Sequence, residues 1–584
     1  MTEATPAGRA AADPSADPRA QADAILADLL ESRTPGRTPA ASTPDPGNRD
    51  RPTWRRWQWW LPGIIIGVAF VASRVVSRWW GVRYDPTLLH HAWQLLDAEL
   101  LDDHLWESAW YLHMQPPLFN IFVGGLLDLS PLTDATTLEA VWVAMGAGVT
   151  ALVYDLLRQL GTGRWWAVVA TIIICCGPGV VFYEAWFSYE MPVMLLLTAT
   201  VDAVARWQRH GHLRALAAAS GCAAAVVLTR SMLHPVWLVA IVAIALLARP
   251  VRSRVTASDG ARPSWPAMLL VAGLPILLVA GVVTKNQVLF GRTDMSSWMG
   301  WNLHRVVFND MTDEEKQALV DDGTVSPAVL LFINQPYSHY EPELGPCEVA
   351  HPDVPALANE TKALDPTVPA DPAVPPENNL NNECYLRVYD RYQDDALAAV
   401  RARPGEYLRG VASAAQVWAL PATDYSFVRL SRDAVQPFET WYRHLVYLDI
   451  PIDPPVRTAY MESQLGCFPL PTGDVCWIPG GRYRFSLTIV AGTMAAVVLA
   501  LRGVWRWARH GDRTQAVWVA NGVTIGWVTA TSILLELGEN NRFRSVVEPL
   551  TLLTVAWLLG RLGSRLGSHL WARTPGNRVP VTPS

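Results

Sequence analysis

Lysine is almost missing from this chain: 584 residues contain only Lys285, Lys316 and Lys362. No basic domain with interleaved aromatics stands out, so nucleic-acid binding has no support. Charged residues make up 17% of the chain, too few for a disordered protein or for most cytosolic enzymes. There is no CxxC pair and no His-Glu-x-x-His, so no metal signature is present. No Gly-rich loop follows a strand, which argues against a nucleotide-sugar site. The first 50 residues are rich in Ala, Pro, Asp, Arg and Thr and lack an apolar core. We therefore expect residues 1–55 to be a disordered cytoplasmic tail without a secretory signal.

What fills the remainder is apolar: 51% of residues are hydrophobic and the mean hydropathy is +0.15. Several runs of about 17 to 24 apolar residues are long enough to cross a bilayer. The sequence therefore reads as an all-α polytopic membrane protein of about ten transmembrane helices, the first near 60–80 and the last near 545–562. A partly helical extracytoplasmic domain is inserted at 290–484. It separates an N-terminal transmembrane module, 56–289, from a C-terminal one, 485–565, with a short cytoplasmic tail at 566–584.

Orientation follows from arginine. Clusters at Arg51–Arg56, Arg158–Arg164, Arg206–Arg214, Arg249–Arg262, Arg502–Arg513 and Arg561–Arg573 occupy alternate connections, which places them and both termini in the cytoplasm. That parity requires the short apolar stretch Leu118–Leu129, behind Gln115-Pro116-Pro117, to be re-entrant or interfacial rather than crossing. Residues 290–483 carry 27 acidic against 14 basic residues, a net of −13, although the whole chain is only −6. Their four cysteines, Cys347, Cys384, Cys467 and Cys476, fit an oxidising compartment. Three pairings are possible, with Cys467–Cys476 favoured on proximity. Helical periodicity runs through 388–420, while 341–380 reads as a loop.

Polar residues near the span ends fall mostly on the outer side. The first outer loop holds Asp85, His90, His91, His113 and Gln115. Tyr189 and Glu190 open a later span, and Arg230 closes another in Leu228-Thr229-Arg230. Lys285 ends a further span, and Glu539-Asn540-Asn541-Arg542-Phe543-Arg544 precedes the last. Each has an ordinary explanation as well: a cap for Asp85 or Glu190, an interfacial role for the histidines, snorkelling for Arg230, interface anchoring for Arg542 and Arg544. Glu190 is the hardest to dismiss, because a carboxylate at the start of an apolar span is costly unless paired or facing water.

In order and topology this pattern resembles the GT-C superfamily of polyprenyl-phosphate-sugar-dependent glycosyltransferases, nearest the protein O-mannosyltransferase and aminoarabinose-type lipid transferase branches. The likeness covers roughly 60–290 and 485–562. It implies an enzyme of the cell (plasma) membrane that moves a sugar from a polyprenyl-phosphate donor to an extracytoplasmic glycan, lipid or protein. It implies Asp85 as catalytic base and Glu190 as a second acid that positions the acceptor or, in some members, a divalent metal. Gln115 would shape the sugar pocket, and Arg230, Lys285, Arg542 and Arg544 would meet the phosphate, with His91, His113, Tyr189 and Asn541 as further substrate contacts. Many relatives have Asp-Glu where this chain has Asp85-Pro86. A membrane transporter or lipid flippase is the main alternative, and a wall-binding scaffold is a third.

Overall fold

The computed structural model describes residues 54–129, 134–248, 263–331, 333–363, 377–452, 467–470, 473–476 and 483–573. The expected tail at 1–55 lies almost wholly outside them, as do all of 364–376 and 453–466, part of the expected loop and of the inserted segment. By contact pattern the chain divides into Met1–Leu61 and Pro62–Ser584. Of the first unit only the opening of one helix is described.

The second unit is helical, with two small two-stranded sheets among the described residues. Strand β1 (Asp449–Ile452) pairs antiparallel with β4 (Tyr483–Ser486), and β2 (Cys467–Leu470) with β3 (Gly473–Cys476). Among the described residues, five helices are long and apolar enough to cross a bilayer. They are α1 (Trp54–Trp80), α3 (Asp134–Gln159), α9 (Trp265–Phe290), α15 (Leu487–His510) and α16 (Ala516–Leu535). The chain is a membrane protein on this ground. A sixth candidate is a bent pair, α4 (Arg164–Cys175) and α5 (Pro178–Glu184), which meet at 52°. The remaining expected spans are α6 (Glu190–His210), α7 (Leu213–Thr229), α8 (Pro235–Leu247) and α18 (Glu548–Arg573). Helix α2 (Leu118–Leu129) has 12 residues, about 18 Å at the usual rise and well short of a bilayer core. Helices α7, with 17 residues, and α8, with 13, are likewise shorter than the five long apolar helices. Helix α18 runs on to Arg573, beyond the expected end of the last span.

The bend between α4 and α5 has a local cause. Pro178 has no N–H to continue the ladder, so carbonyls at the end of α4 need other donors. Arg74 on α1 donates to Cys175 O at 3.0 Å, and the Tyr442 hydroxyl donates to Ile173 O at 2.9 Å. The same Arg74 holds Glu184 through two bonds of 2.9 and 2.6 Å. Elsewhere small residues set the spacing: Gly522 on α16 lies so close to Ala496 and Ala500 on α15 that a Cβ there would collide. Helices α6, α9 and α15 all stop at a left-handed glycine, Gly211, Gly291 and Gly511.

Further helices are α10 (Met299–Phe308), α11 (Tyr385–Ala402), α12 (Pro404–Ala419), α13 (Arg429–Ala434), α14 (Gln436–Tyr442) and α17 (Asn540–Ser545). The expected helical stretch 388–420 is two helices, broken where Pro404 starts the second. Cys347 is disulfide-bonded to Cys384. Cys467 and Cys476 are backbone partners in the register of the β2–β3 hairpin.

Candidate functional site

A cavity of about 280 Å³ lies where α10, the outer end of α16, α17 and the loop after α7 converge. Its polar wall includes Gln94, Gln115, Arg230, Ser231, Asn302, Arg305, Glu536 and Glu539. Its aromatic wall includes Tyr189, Trp298, Trp301, Trp527 and Phe543. Trp298 and Trp301 meet edge to face at 4.5 Å between ring centroids, and the Trp298 indole donates to the Tyr389 hydroxyl at 3.1 Å.

The charge arrangement is built from helix ends. Glu190 is the first residue of α6, behind an N-cap position, Tyr189, whose side chain makes no capping bond. Arg230 is the C-cap of α7. Arg542 lies on α17, which the tight Glu539-Asn540-Asn541 turn introduces. Asn540 fastens that turn by donating to Ser532 O and Glu536 O at 2.6 and 2.8 Å. Glu190 is fully buried, and its Oε1 accepts from Arg230 Nη1 at 3.1 Å and from Arg542 Nε at 2.6 Å. Its Oε2 has no hydrogen-bond partner. Arg230 lies between the faces of Tyr189 and Phe543, 4.2 and 4.1 Å from their centroids. Arg542 continues to Glu539 Oε2 and the Tyr425 hydroxyl, both at 3.1 Å, and that hydroxyl donates to Glu539 Oε1 at 2.6 Å. Arg305 meets Glu536 at 2.7 Å. Three guanidiniums therefore meet three carboxylates, with Arg230, Arg305, Glu536 and Glu539 lining the cavity and Glu190 and Arg542 behind it.

The two wall carboxylates differ. Burial pushes Glu536 up to about 7 against the pull of Arg305. Burial would raise Glu539 as well, but Arg542 and Arg305 outweigh it and hold that carboxyl below its ordinary value. A pair of acids driven apart in this way, one ionised and one poised near neutrality, is what acid–base chemistry needs.

Of the residues singled out from sequence, Gln115, Tyr189 and Arg230 line the cavity, with Glu190 and Arg542 directly behind. The others are elsewhere. The Asp85 carboxylate accepts from the backbone N–H and hydroxyl of Thr87, closing a turn, and Asp85 is not among the lining residues. His91 contacts Glu377 at 3.2 Å on an exposed surface. His113 is buried between the Ser297 hydroxyl and Asn381 O, each at 2.9 Å, and burial drives its ring down to about 3, so it is neutral. Lys285 donates to Leu112 O at 2.7 Å and fastens the first outer loop. Asn541 donates to Pro421 O at 3.2 Å. Arg544 donates to Leu420 O at 2.9 Å and pairs with Glu548 at 3.3 Å. These last four are held by protein partners in the described structure, so the phosphate and substrate contacts expected of them have no visible basis.

Sequence reasoning missed Arg305 and Tyr425 and gave no role to Glu536 and Glu539. Both acids precede the Asn-Asn-Arg turn, in a stretch the sequence singled out at the end of a span. Arg305 and Tyr425 fall in the stretch that resembles nothing named, so only the fold brings them in.

A divalent metal at Glu190 does not suit the residues around it. Two guanidiniums already share its Oε1, and a cation there would meet both positive charges. Among the described residues no group of three or more His, Cys, Asp and Glu side chains converges. The chain matches no family model, no curated protein and no solved structure.

Proposed function

We propose that the chain is a ten-span membrane glycosyltransferase of the GT-C type, taking a sugar from a polyprenyl-phosphate donor to an acceptor hydroxyl outside the cytoplasm. The six candidate spans, together with α6, α7, α8 and α18, make up the ten crossings. The observation that carries the reading is the cavity wall itself, in which guanidiniums, a carboxylate poised near neutrality and flat indoles border one volume.

Each part has a chemical use. Indole faces offer apolar platforms to the C–H faces of a sugar ring. Arg230 and Arg305 present guanidiniums to a phosphate. Glu536 takes the proton of the acceptor hydroxyl while that oxygen bonds to the anomeric carbon. The bond from that carbon to the phosphate oxygen breaks, and the phosphate leaves with the electron pair. With Glu536 ionised, the three guanidiniums and three carboxylates balance. Once Glu536 holds the acceptor's proton, the cluster gains a net positive charge as the leaving phosphate gains a negative one. Electrostatic stabilisation is then strongest where charge develops.

The test is transfer of radiolabelled sugar from polyprenyl-phosphate donors to membrane and cell-wall acceptors, comparing the purified wild type with Glu536→Gln, Glu190→Gln and Asp85→Asn. Loss in Glu536→Gln with retention in Asp85→Asn supports this assignment, and the opposite result returns the base to Asp85. No transfer from any donor by folded protein overturns the reading. It would favour transport, for which the bent α4–α5 pair with the buried Arg74–Glu184 bridge is the specific pointer.

A further inference from the structure

The segment from Phe427 to Ile450 is turned inside out for a piece of outer domain. Its charged side chains point inward: Arg432 and Arg443 are buried against Asp424, at 3.2 and 2.7 Å, and Arg443 reaches Asp449 at 3.0 Å. Its large apolar side chains point outward, with Leu430 83% exposed, Trp441 59% and Leu445 56%. A soluble surface places these groups the other way round, because exposed apolar area of this extent is unfavourable in water.

Two contacts say what covers it. Phe438 packs on Trp80, 6.0 Å between centroids, at the end of the membrane-crossing helix α1, so the apolar face runs on from a lipid-facing one. Tyr442 is seated in the break between α4 and α5, against Gly177, where its hydroxyl meets Ile173 O. That break lies one short helix, α5, from the C-terminal end of the bent pair, so Tyr442 is seated within the pair and not at its tip. The polar groups left outside, the Arg429–Asp433 pair and His444, suit the headgroup level of an amphipathic segment lying in the plane.

We infer that residues 427–450 form an interfacial wedge whose face of Leu430, Phe438, Trp441 and Leu445 is buried in the leaflet of the bilayer next to the end of α1 at Trp80. The partner is phospholipid acyl chain, not a protein. The wedge abuts the candidate site, since Phe427 stacks on Trp186 at 5.7 Å and Arg542 lies over the same indole. The segment thereby touches the residues that stand behind the cavity wall. The inference needs only the membrane assignment and stands whether or not the chain transfers sugar.

The experiment places p-benzoylphenylalanine at 430, 441 or 445 of the full chain. Each protein is reconstituted in nanodiscs of phosphatidylcholine and phosphatidylglycerol, irradiated, and its peptides are weighed for lipid adducts. Position 71, exposed on α1, is the lipid control, and position 313, on the outer domain, is the water control. Adduct yields within about twofold of position 71 and about tenfold above position 313 are expected for a buried interfacial face. Yields at the level of position 313 overturn the proposal, and so do cross-linked dimers without lipid adducts, which would assign the face to a second copy.

Discussion

Two clusters in this molecule are made of the same residue types and have opposite uses. Around the cavity, Arg230, Arg305 and Arg542 meet Glu190, Glu536 and Glu539; farther along, Arg432 and Arg443 meet Asp424, Glu439 and Asp449. Both are buried, and each has carboxylate oxygen without a hydrogen-bond partner, Glu190 Oε2 and Glu536 Oε1 in the first and Asp449 Oδ1 in the second. Burial, pairing and an orphan oxygen therefore do not separate a site from a structural knot. Enclosed volume does: the first cluster borders space for a ligand, and no side chain of the second lines that cavity. A buried ion pair alone is weak evidence of function, since such networks also fix folds.

The largest effect should come from breaking the closed cluster. Arg443 gives Asp424 two hydrogen bonds, at 2.7 and 2.9 Å, and Asp424 is fully enclosed. Arg443→Ala leaves that charge with Arg432 alone, a loss of about 3 to 5 kcal/mol for a broken buried pair. Thermal unfolding in detergent should show a large drop in Tm, whereas Arg230→Ala, which leaves Glu190 with Arg542, should lower Tm much less. Equal losses would erase the distinction between the clusters.

Next in size is Glu536→Gln, expected to cut sugar transfer by about 10² to 10⁴, the usual contribution of a general base, with folding intact. Its pH dependence sharpens the point. A base held at about 7 must lose its proton to act, so transfer should rise through pH 7 and level off above it. Stability should move the other way. The folded carboxyl binds its proton more tightly than the ordinary value of 4.5, so the folded state is favoured at low pH and loses stability as pH rises from 4.5 to about 7. Both trends should vanish in Glu536→Gln, and a transfer profile unchanged by that substitution would remove Glu536 from the chemistry.

A smaller effect is expected from Arg230→Lys. Charge is kept, but the planar group between Tyr189 and Phe543 is lost, along with its fork of donors. About a tenfold fall in transfer corresponds to the upper range of a desolvated cation–π contact. A fall as deep as that of Arg230→Ala would mean that the guanidinium plane, not the charge, carries the role.

How much of this was legible follows the range of the interactions. Apolar runs are a local property, and they gave the long helices and the short α2. The convergence of Glu190, Arg230 and Arg542 was legible because burying a charge at a span end demands a partner. Which partner was not, since Glu190 and Arg542 are 352 residues apart. Lys285 was misleading for a physical reason: a rare lysine at a span end suggests a ligand, yet its ammonium serves the backbone carbonyl of Leu112. Arg305 had no signal at all, because nothing local distinguishes it from the other arginines of the outer domain.

Asp85 gives the smallest expected effect and the finest test of the comparison. Its position in the chain suggests a catalytic base, but its carboxylate closes a turn on Thr87 and its backbone pairs with Ala185 and Phe187 at 2.8 and 2.9 Å. Those main-chain bonds survive a change of side chain. Asp85→Ala should then cost about 1 kcal/mol, the worth of a lost cap, and read as a small fall in Tm. Transfer should stay within about twofold of wild type, because a group that reaches no reacting atom is not asked for the 10² to 10⁴ of a base. A deep loss of transfer with that same small fall in Tm would mean that the first outer loop moves Asp85 into the cavity during the reaction. Glu536 would then be left as the partner of Arg305, and the enclosed volume would mark the donor's place rather than the base's.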